Sequence, residues 1–412
     1  MNADDQEELE GEFKRLLEEG KEPVFDFEKE KILQQLHNSV LALKKEFNWT
    51  NTRIVNKEEE LKKFKAAKDQ EKTYRPQFKF VKFEYDEEDA IQLIEEIEQQ
   101  AGKIDREVIK KKGFNSVDRK ELRNLYRGIF EEFKLYVKLQ SHIANRKKWR
   151  KICRRIWSPD EKTAKYAEKK LREKQISNEE GEKDLDASAV KDMWEEEVKR
   201  LGMDYETKVR NVSGCHNIPE ERKLIVAAGN NSTRNYSLEE ARMLTMHEVF
   251  HAVRTHNGYK AVEGTDVPPT LGIHTPFYDR AEEGGSVFRE VKTRVITERK
   301  EKDYYLRTMA ANYWHKGMSF GKIVDKLMKN GASLSRAFGL TARNREFMRH
   351  QIYLGGLRDW QEMEEKEPMM IGKVNRKWAE KLWKEAKTGG PLSKPDIKPE
   401  QLFQKSSFAF DT

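Results

Sequence analysis

The residues with the clearest chemical potential lie in the stretch TMHEVFHAVRTHNG, residues 245–258. His247 and His251 are one helical turn apart, so both imidazoles would lie on one helix face and could bind one ion. Glu248 follows His247 directly and is placed to accept a proton from a water bound to that ion. Two neutral imidazoles, a carboxylate and a water form a typical zinc coordination set. The pattern therefore predicts a Zn²⁺ cofactor, with Glu248 as the catalytic base.

A third protein ligand must come from outside this helix. Glu282 and Glu283 stand at the head of a second predicted helix, which would supply a carboxylate if it packed antiparallel to the first. Two Glu residues at a helix N-terminus also simply complement the helix dipole. Periodicity does not choose between the ligand role and the dipole role, nor between Glu282 and Glu283. His256 and His274 compete as ligands, although a helix end and a Pro-rich loop are more typical places for surface histidines.

The sequence delimits the helix that carries the two histidines. Ser237 with Glu240 three residues later is the capping-box arrangement of a helix start, and Asn257-Gly258 predicts its end. The preceding stretch RKLIVAAG predicts a short strand, and YRPQFKFVKFEYD predicts an extended segment. Helical periodicity occurs over residues 28–47, 57–69, 87–100, 118–145, 159–176 and 189–201. We therefore predict an α+β fold that is mainly helical with a small sheet.

The composition restricts the classes of partner. Lys and Arg exceed Asp and Glu by 80 to 73, a net charge of +7 over 412 residues. This small excess favours a solvated basic surface, and we expect no specific nucleic-acid partner. Cys153 and Cys215 are too few for a disulfide framework, and Cys215-His216 lacks a second ligand pair for a further metal site. The longest apolar run, LIVAAG, is far too short to cross a bilayer. We expect a soluble, cytoplasmic protein without a membrane partner.

Changes in pattern along the chain predict four regions. Residues 1–56 would form an N-terminal helical segment, and residues 57–145 a helical region that packs on the catalytic domain. Residues 146–385 would form that catalytic domain. Residues 386–412 contain three prolines and little periodicity, which predicts a flexible tail.

The same motifs carry a resemblance to a known family. The sequence resembles zinc peptidases identified by a Gln-Glu-Gly-Leu-Ala motif, which include the microtubule-associated tyrosine carboxypeptidase that removes the terminal Tyr of α-tubulin. The family's metal helix, H-E-x-x-x-H followed by Leu-Arg-x-x-Asn-Gly, corresponds to residues 247–258, with one residue fewer between Glu248 and the second His. The other motif falls on EEGGS, so the resemblance implies Glu283 as the third ligand. Similar segments are YRPQFKF, IWSPDEKTAKYAEKKL and AFGLTARNREFMRHQIYLGGL.

The resemblance implies a zincin-like catalytic domain that acts as a carboxypeptidase. Arg binds a substrate carboxylate best, through two parallel hydrogen bonds. Arg254 matches the family motif and is either the residue that binds the substrate carboxylate or a structural residue. Arg343 and Arg349 are further candidates for binding the carboxylate. Tyr353 is a candidate donor to the developing oxyanion, or a core tyrosine.

Two departures from the family pattern affect the expected site. Gly285-Ser286 replaces Leu-Ala, which we expect to loosen the packing behind the third ligand. Gly355 stands where the family has Arg, which removes a cation that could hold an acidic substrate.

The sequence thus predicts a metallocarboxypeptidase, a hydrolase that removes a C-terminal residue, for which Tyr is one candidate. Its substrate would be a peptide or protein C-terminus, with tubulin or another acidic protein as a candidate partner. One alternative is a non-catalytic or weakly catalytic zinc-binding protein that binds an acidic partner such as a filament. Another is a metal-free helical scaffold.

Overall fold

The computed structural model describes residues 11, 14–16, 25–47, 52–173, 181–229 and 232–403. Its first part is helical and matches most of the predicted helices. The predicted helix at 118–145 ends at Ser141, and a separate helix begins at Arg146. Residues 74–85 are extended as predicted, and Phe80 pairs with Ile54 in an isolated bridge. The helices are α1 (Ile32–Glu46), α2 (Lys57–Asp69), α3 (Glu87–Gln100), α4 (Arg106–Lys111), α5 (Arg119–Ser141), α6 (Arg146–Ile156), α7 (Glu161–Glu173) and α8 (Ala187–Arg200).

A three-stranded mixed sheet follows α8. Its strands are β1 (Glu206–Arg210), β2 (His216–Ile218) and β3 (Lys223–Ala227), in the order β1-β3-β2. The central strand β3 pairs in parallel with β1 and antiparallel with β2. The predicted strand is β3, whereas β1 is too polar and β2 too short to show a strand pattern. The mainly helical α+β class is confirmed, and the zincin-like relationship stays a prediction.

The helix with the two histidines is α9 (Leu238–Lys260), and it begins as predicted. The Ser237 side chain accepts from the backbone N–H of Glu240 at 3.2 Å. The predicted stop was wrong, because α9 continues past Asn257-Gly258 to Lys260. The Asn257 amide instead donates to and accepts from the backbone of Ile397, at 2.9 Å each. The pair therefore serves tertiary contacts and does not end the helix.

The helices that follow α9 pack closely where two of them carry glycine. Helix α11 (Asp279–Lys292) crosses α15 (Ile352–Glu362) so closely that a Cβ on Gly284 would lie 2.1 Å from the carbonyl carbon of Gly356. A Cβ on Gly285 would lie 2.4 Å from the Phe250 ring of α9. The expectation of loose packing was therefore wrong, since glycine lets the helices approach here. These helices are α10 (Thr270–Ile273), α11 (Asp279–Lys292), α12 (Glu298–His315), α13 (Phe320–Lys329), α14 (Leu334–Glu346), α15 (Ile352–Glu362), α16 (Glu367–Met370), α17 (Arg376–Lys387) and α18 (Pro399–Phe403).

The segment predicted as a flexible tail is packed over its described part, residues 386–403. Leu392, Ile397 and Leu402 are buried, and the backbone N–H of Ser393 donates to Ala261. These side chains belong to the same hydrophobic cluster as those of α1, α5, α9 and α15. The prolines that gave the segment its loop-like pattern thus do not prevent it from docking. Across the described ranges, none of the helices combines the length and apolar character needed to cross a membrane.

Replacing Gly284 with Ala should destabilise the protein, because the new methyl group would overlap the backbone of α15. We expect the free energy of unfolding to fall by about 1–3 kcal/mol or more, measured by denaturant unfolding. Gly321→Ala on α13 is the matched control, because its Cβ would meet nothing within 4 Å. The control should change stability by no more than about 1 kcal/mol, in the stabilising direction. Equal stability of Gly284→Ala and the control would contradict the tight crossing.

Candidate metal centre

Three side chains from α9 and α11 converge on one point. His247, His251 and Glu283 each offer a ligand atom, and these atoms all lie within 4.8 Å of one another. The Nε2 atoms of His247 and His251 are 3.4 and 3.9 Å from Glu283 Oε2. The two imidazole rings lie 5.0 Å apart because their residues are separated by one helical turn. Within the described residues, this is the one cluster of His, Cys, Asp and Glu side chains suited to sharing an ion.

Two further carboxylates hold the far side of each imidazole. His247 Nδ1 donates to Glu290 at 2.6 Å, and His251 Nδ1 donates to Glu282 at 2.9 Å. With Nδ1 engaged in this way, Nε2 of each ring faces Glu283. Carboxylates in this position fix the tautomer and ring orientation of metal-binding histidines. The four side chains therefore form two oriented pairs whose Nε2 atoms point at one carboxylate.

The donor set fits a divalent metal ion. Glu283 Oε2 is buried and makes no hydrogen bond among the described residues, although a buried carboxylate oxygen normally finds a partner. An ion held by this oxygen and the two Nε2 atoms would satisfy it. Two imidazoles and one carboxylate leave a position of a four-coordinate ion open, which is the composition of catalytic sites. The structure thus supports the sequence-predicted group and favours Glu283 over Glu282.

Cations balance the carboxylate that supports His251. Arg254 donates to Glu282 Oε2 at 2.7 Å, and Lys373 also pairs with Glu282. Burial alone would raise the pKa of Glu282, but Lys373 and Arg254 hold it far below its usual range. Glu282 is therefore an ionised, fixed acceptor for His251.

Glu283 has its own cation. Arg349 donates to Glu283 Oε1 at 2.7 Å, which leaves the other oxygen facing the histidines. Burial would raise the pKa of Glu283, but Arg349 and His247 hold it well below its usual range. Asp279 lies 3.5 Å from the Arg349 Nε, and burial raises the pKa of this carboxyl. The guanidinium of Arg349 is thus engaged by two acidic groups inside the protein.

The carboxylate that supports His247 is tied to α12. The Tyr304 hydroxyl donates to Glu290 at 2.9 Å, and Glu290 is fully buried. Burial would lower the pKa of His247, but the neighbouring carboxylates of Glu283 and Glu290 raise it to about 10. In the metal-free protein His247 is therefore held in its charged form, and an ion bound at Nε2 would replace that proton.

Glu248 lies beside the group and is almost buried, with 9% of its surface exposed. Its carboxylate has no hydrogen bond or ion pair among the described residues. Burial first, and then the charge of Glu248, raise the pKa of Cys215 to about 11. The carboxylate of Glu248, next to the ligand His247, is thus available as a base.

Tyr353 lies on the other side of His247. Its ring stacks on Tyr304 at 5.3 Å between centroids, and lies 6.5 Å from the His247 ring. Burial first, and then the charge of Glu283, raise its pKa to about 12, so the hydroxyl keeps its proton. This hydroxyl has no hydrogen-bond partner within the described part of the chain. It can therefore donate to a group bound next to the metal position.

The three arginines predicted to bind substrate occupy different environments. Arg254 is fully buried and also donates to the backbone of Val374 at 2.7 Å, so it stands behind the histidines. Arg349 supports Glu283, as described above. Arg343 is exposed, and its guanidinium lies 5.9 Å from the Phe347 ring without a carboxylate partner among the described residues. Arg343 is the one of the three whose guanidinium is free to meet a substrate.

The competing ligands lie elsewhere. His256 bonds Asp396 at 2.9 Å, and His274 bonds Glu132 at 3.2 Å, so both are buried in structural contacts. Cys215 lies near the Tyr236 hydroxyl, at 3.7 Å.

The space beside Gly355 is filled by Arg280, which donates to the Gly355 carbonyl at 3.1 Å. The sequence predicted that Gly355 leaves this position without a cation, but the Arg280 guanidinium occupies it.

Sequence reasoning missed the supporting role of Glu282, as well as Glu290, Tyr304 and Lys373. A signal for Glu290 was available, because it lies two helical turns after Glu283 and thus on the same face of α11. Tyr304 and Lys373 carry no such signal, because they reach the group from helices and loops that are distant in sequence.

Comparison with known proteins identifies a related family. A family model described as microtubule-associated tyrosine carboxypeptidase matches residues 62–409, which is most of the chain. The matched range includes the metal-ligand group, its supporting carboxylates and Tyr353. No match was found among curated proteins.

Replacing His251 with Gln should abolish tight binding of one divalent ion, because it removes one of three ligand atoms. The check is equilibrium dialysis followed by elemental analysis, with circular dichroism to establish folding. His216→Gln is the matched control, since this histidine is exposed on β2 and its ring bonds the Gly214 carbonyl. We expect one ion per chain in the wild type and the control and no stoichiometric ion in the variant. Equal metal content in all three proteins would place the ion elsewhere.

Proposed function

The chain belongs to the microtubule-associated tyrosine carboxypeptidase family, and on this premise we propose that it is a zinc-dependent carboxypeptidase. It would hydrolyse the last peptide bond of a peptide or protein and release the C-terminal residue. The observation that carries the proposal is the convergence of His247 Nε2, His251 Nε2 and Glu283 Oε2 beside the unpaired carboxylate of Glu248. Zinc is the ion that this combination of nitrogen and oxygen ligands favours.

When bound, zinc would polarise the scissile carbonyl and lower the pKa of its water. Glu248 accepts the proton of the attacking water and returns it to the leaving amine. Its lack of an internal partner suits this role, since no ion pair has to be broken. Glu282 and Glu290 keep the two imidazoles oriented throughout, and Arg349 keeps Glu283 ionised.

Tyr353 completes the proposed machinery. Its neutral hydroxyl lies beside His247, so it can donate to the oxygen that becomes negative in the transition state. The Arg307 guanidinium lies 5.4 Å from the centre of the Tyr353 ring and favours charge development nearby.

An exopeptidase also needs a cation for the terminal carboxylate. We assign this role to Arg343, because Arg254 and Arg349 already neutralise Glu282 and Glu283. Arg254 then acts through Glu282 as a positioning residue for His251. Release of Tyr, with tubulin or another acidic protein as substrate, follows from the family's name and forms part of this proposal. A cytoplasmic location is also part of this proposal.

Replacing Glu248 with Gln should abolish peptide hydrolysis while zinc stays bound, because the amide cannot accept the proton. We expect the rate to fall by about 10²–10⁴-fold. The measurement is mass analysis of unstructured peptides with varied C-termini after incubation with each protein. Glu362→Gln on the exposed side of α15 is the control and should retain full activity.

The products of that assay separate the candidate functions. Loss of single C-terminal residues by the wild type alone supports the carboxypeptidase and gives its residue preference. Cleavage at internal bonds would keep the metal chemistry and overturn the exopeptidase claim. A zinc-loaded wild type that cleaves no peptide, tubulin included, would favour the alternative of a zinc-binding protein that only binds an acidic partner.

Replacing Arg343 with Gln should raise KM for peptides with a free C-terminal carboxylate by about tenfold, because one charge-assisted hydrogen-bond donor is lost. The effect on C-terminally amidated peptides should be small, so the preference for the free acid should shrink. Steady-state kinetics on the two peptide forms measures both quantities. Arg106→Gln, an exposed arginine on α4, is the control. An unchanged preference for the free acid in Arg343→Gln would exclude this residue as the carboxylate anchor.

A further inference from the structure

A cavity of about 910 Å³ lies where three helices begin, next to the metal centre. The starts of α9, α12 and α14 form its walls. Met243, one turn before the ligand His247 on α9, lines one side. The cavity is within the size range of small-molecule pockets.

The charge of the lining is strongly one-sided. Among the described residues that face the cavity, seven carry cationic side chains and three carry carboxylates. The cations come from separate elements, so they surround one space and do not form a single helical stripe. They are Lys183, Arg234, Arg299, Lys300, Lys302, Arg307 and Arg336.

Two of the three carboxylates pair with cations of the lining. Asp303 pairs with Arg307 at 2.6 Å and also with Arg336. Burial would raise the pKa of Asp303, but these two arginines and Lys300 hold it at about 2. Glu240 pairs with Arg234 at 3.0 Å. Both acids are therefore engaged by cations.

Lys300 is the cation without a carboxylate partner among the described residues. Its ammonium lies 5.3 Å from the centre of the Tyr304 ring, on the cavity side. Burial first, and then the charge of Arg307, lower its pKa. An anion in the cavity would give this ammonium a partner.

The three helix starts also favour the binding of an anion in the cavity. Ser237, Thr297 and Ser333 are the N-caps of α9, α12 and α14, and all three line the cavity. Each N-terminus presents free backbone N–H groups and the positive end of a helix dipole. Phosphate groups are the anions that such termini, together with arginine side chains, bind best.

We propose that this cavity binds a compact anion that carries several phosphate groups. We commit to a small molecule as the occupant, because the volume of the cavity lies in the range of small-molecule pockets. The site is separate from the metal ligands, since the Tyr304 ring lies between Lys300 and Glu290. The inference therefore does not depend on the proposed peptidase activity.

Calorimetric titration of the full-length protein with inorganic tripolyphosphate at physiological ionic strength tests the proposal. We expect saturable binding of one anion and about tenfold weaker binding by Lys300→Gln, because one charge-assisted contact is lost. Arg336→Gln should also weaken binding. Lys322→Gln, an exposed lysine on α13, is the matched control and should bind like the wild type. Removal of a bound metal ion by the phosphate affects all variants equally, so the differences between variants report on the cavity.

Circular dichroism establishes that each variant is folded before titration. Absence of saturable binding, or equal binding by the wild type and Lys300→Gln, would overturn the proposal. A C-terminally amidated hexaglutamate peptide provides the second arm. Tighter binding of this peptide than of tripolyphosphate, with the same loss in Lys300→Gln, would assign the cavity to an acidic chain and also overturn it. Binding by Glu248→Gln should equal that of the wild type, whatever the outcome of the peptidase assays.

Discussion

The hydrogen bonds from two imidazoles to two buried carboxylates are the constraint on which the centre depends. Glu290 and Glu282 accept the Nδ1 protons of His247 and His251, so both Nε2 atoms face Glu283. Burying three carboxylates together is unfavourable unless each is paired. The surroundings are arranged accordingly, with cations beside Glu282 and Glu283 and the Tyr304 hydroxyl beside Glu290. Much of the charged interior of this protein can be understood as support for these two bonds.

A single helix supplies all three carboxylates, so its position decides the geometry of the centre. Helix α11 approaches α15 at Gly284 and Gly356, where no side chain separates the backbones. On its other side Gly285 admits the Phe250 ring of α9. A larger residue at either glycine would move the carboxylates away from the histidines. Gly284 falls on the Gly of the family motif, whereas Gly285 stands where the motif has Leu, and together they set the position of α11 between α15 and α9.

The sequence predicted the local features of the centre and missed the long-range ones. The spacing of His247 and His251, the start of α9 at Ser237 and the strand β3 follow from rules that act over a few residues, and each was found. The stop at Asn257 was wrong because its amide bonds Ile397, a contact that no local pattern records. The choice between Glu282 and Glu283 required the family resemblance, since both lie near the start of one helix. Only the packing of α11 on α9 shows that Glu283 faces the Nε2 atoms of the two histidines, whereas Glu282 faces Nδ1 of His251.

Tyr304 joins the centre to the cationic cavity, and its two ends have different electrostatic roles. Its hydroxyl donates to Glu290, whereas Lys300 and Arg307 lie over its ring at 5.3 and 5.9 Å. The two cations lie on the cavity side of the ring, and Glu290, the acceptor for His247, lies at its hydroxyl. Charges act through buried protein with little screening, so the position of this ring matters for both regions. Tyr304 therefore places a cation of the cavity and a supporting carboxylate of the centre at two ends of one side chain.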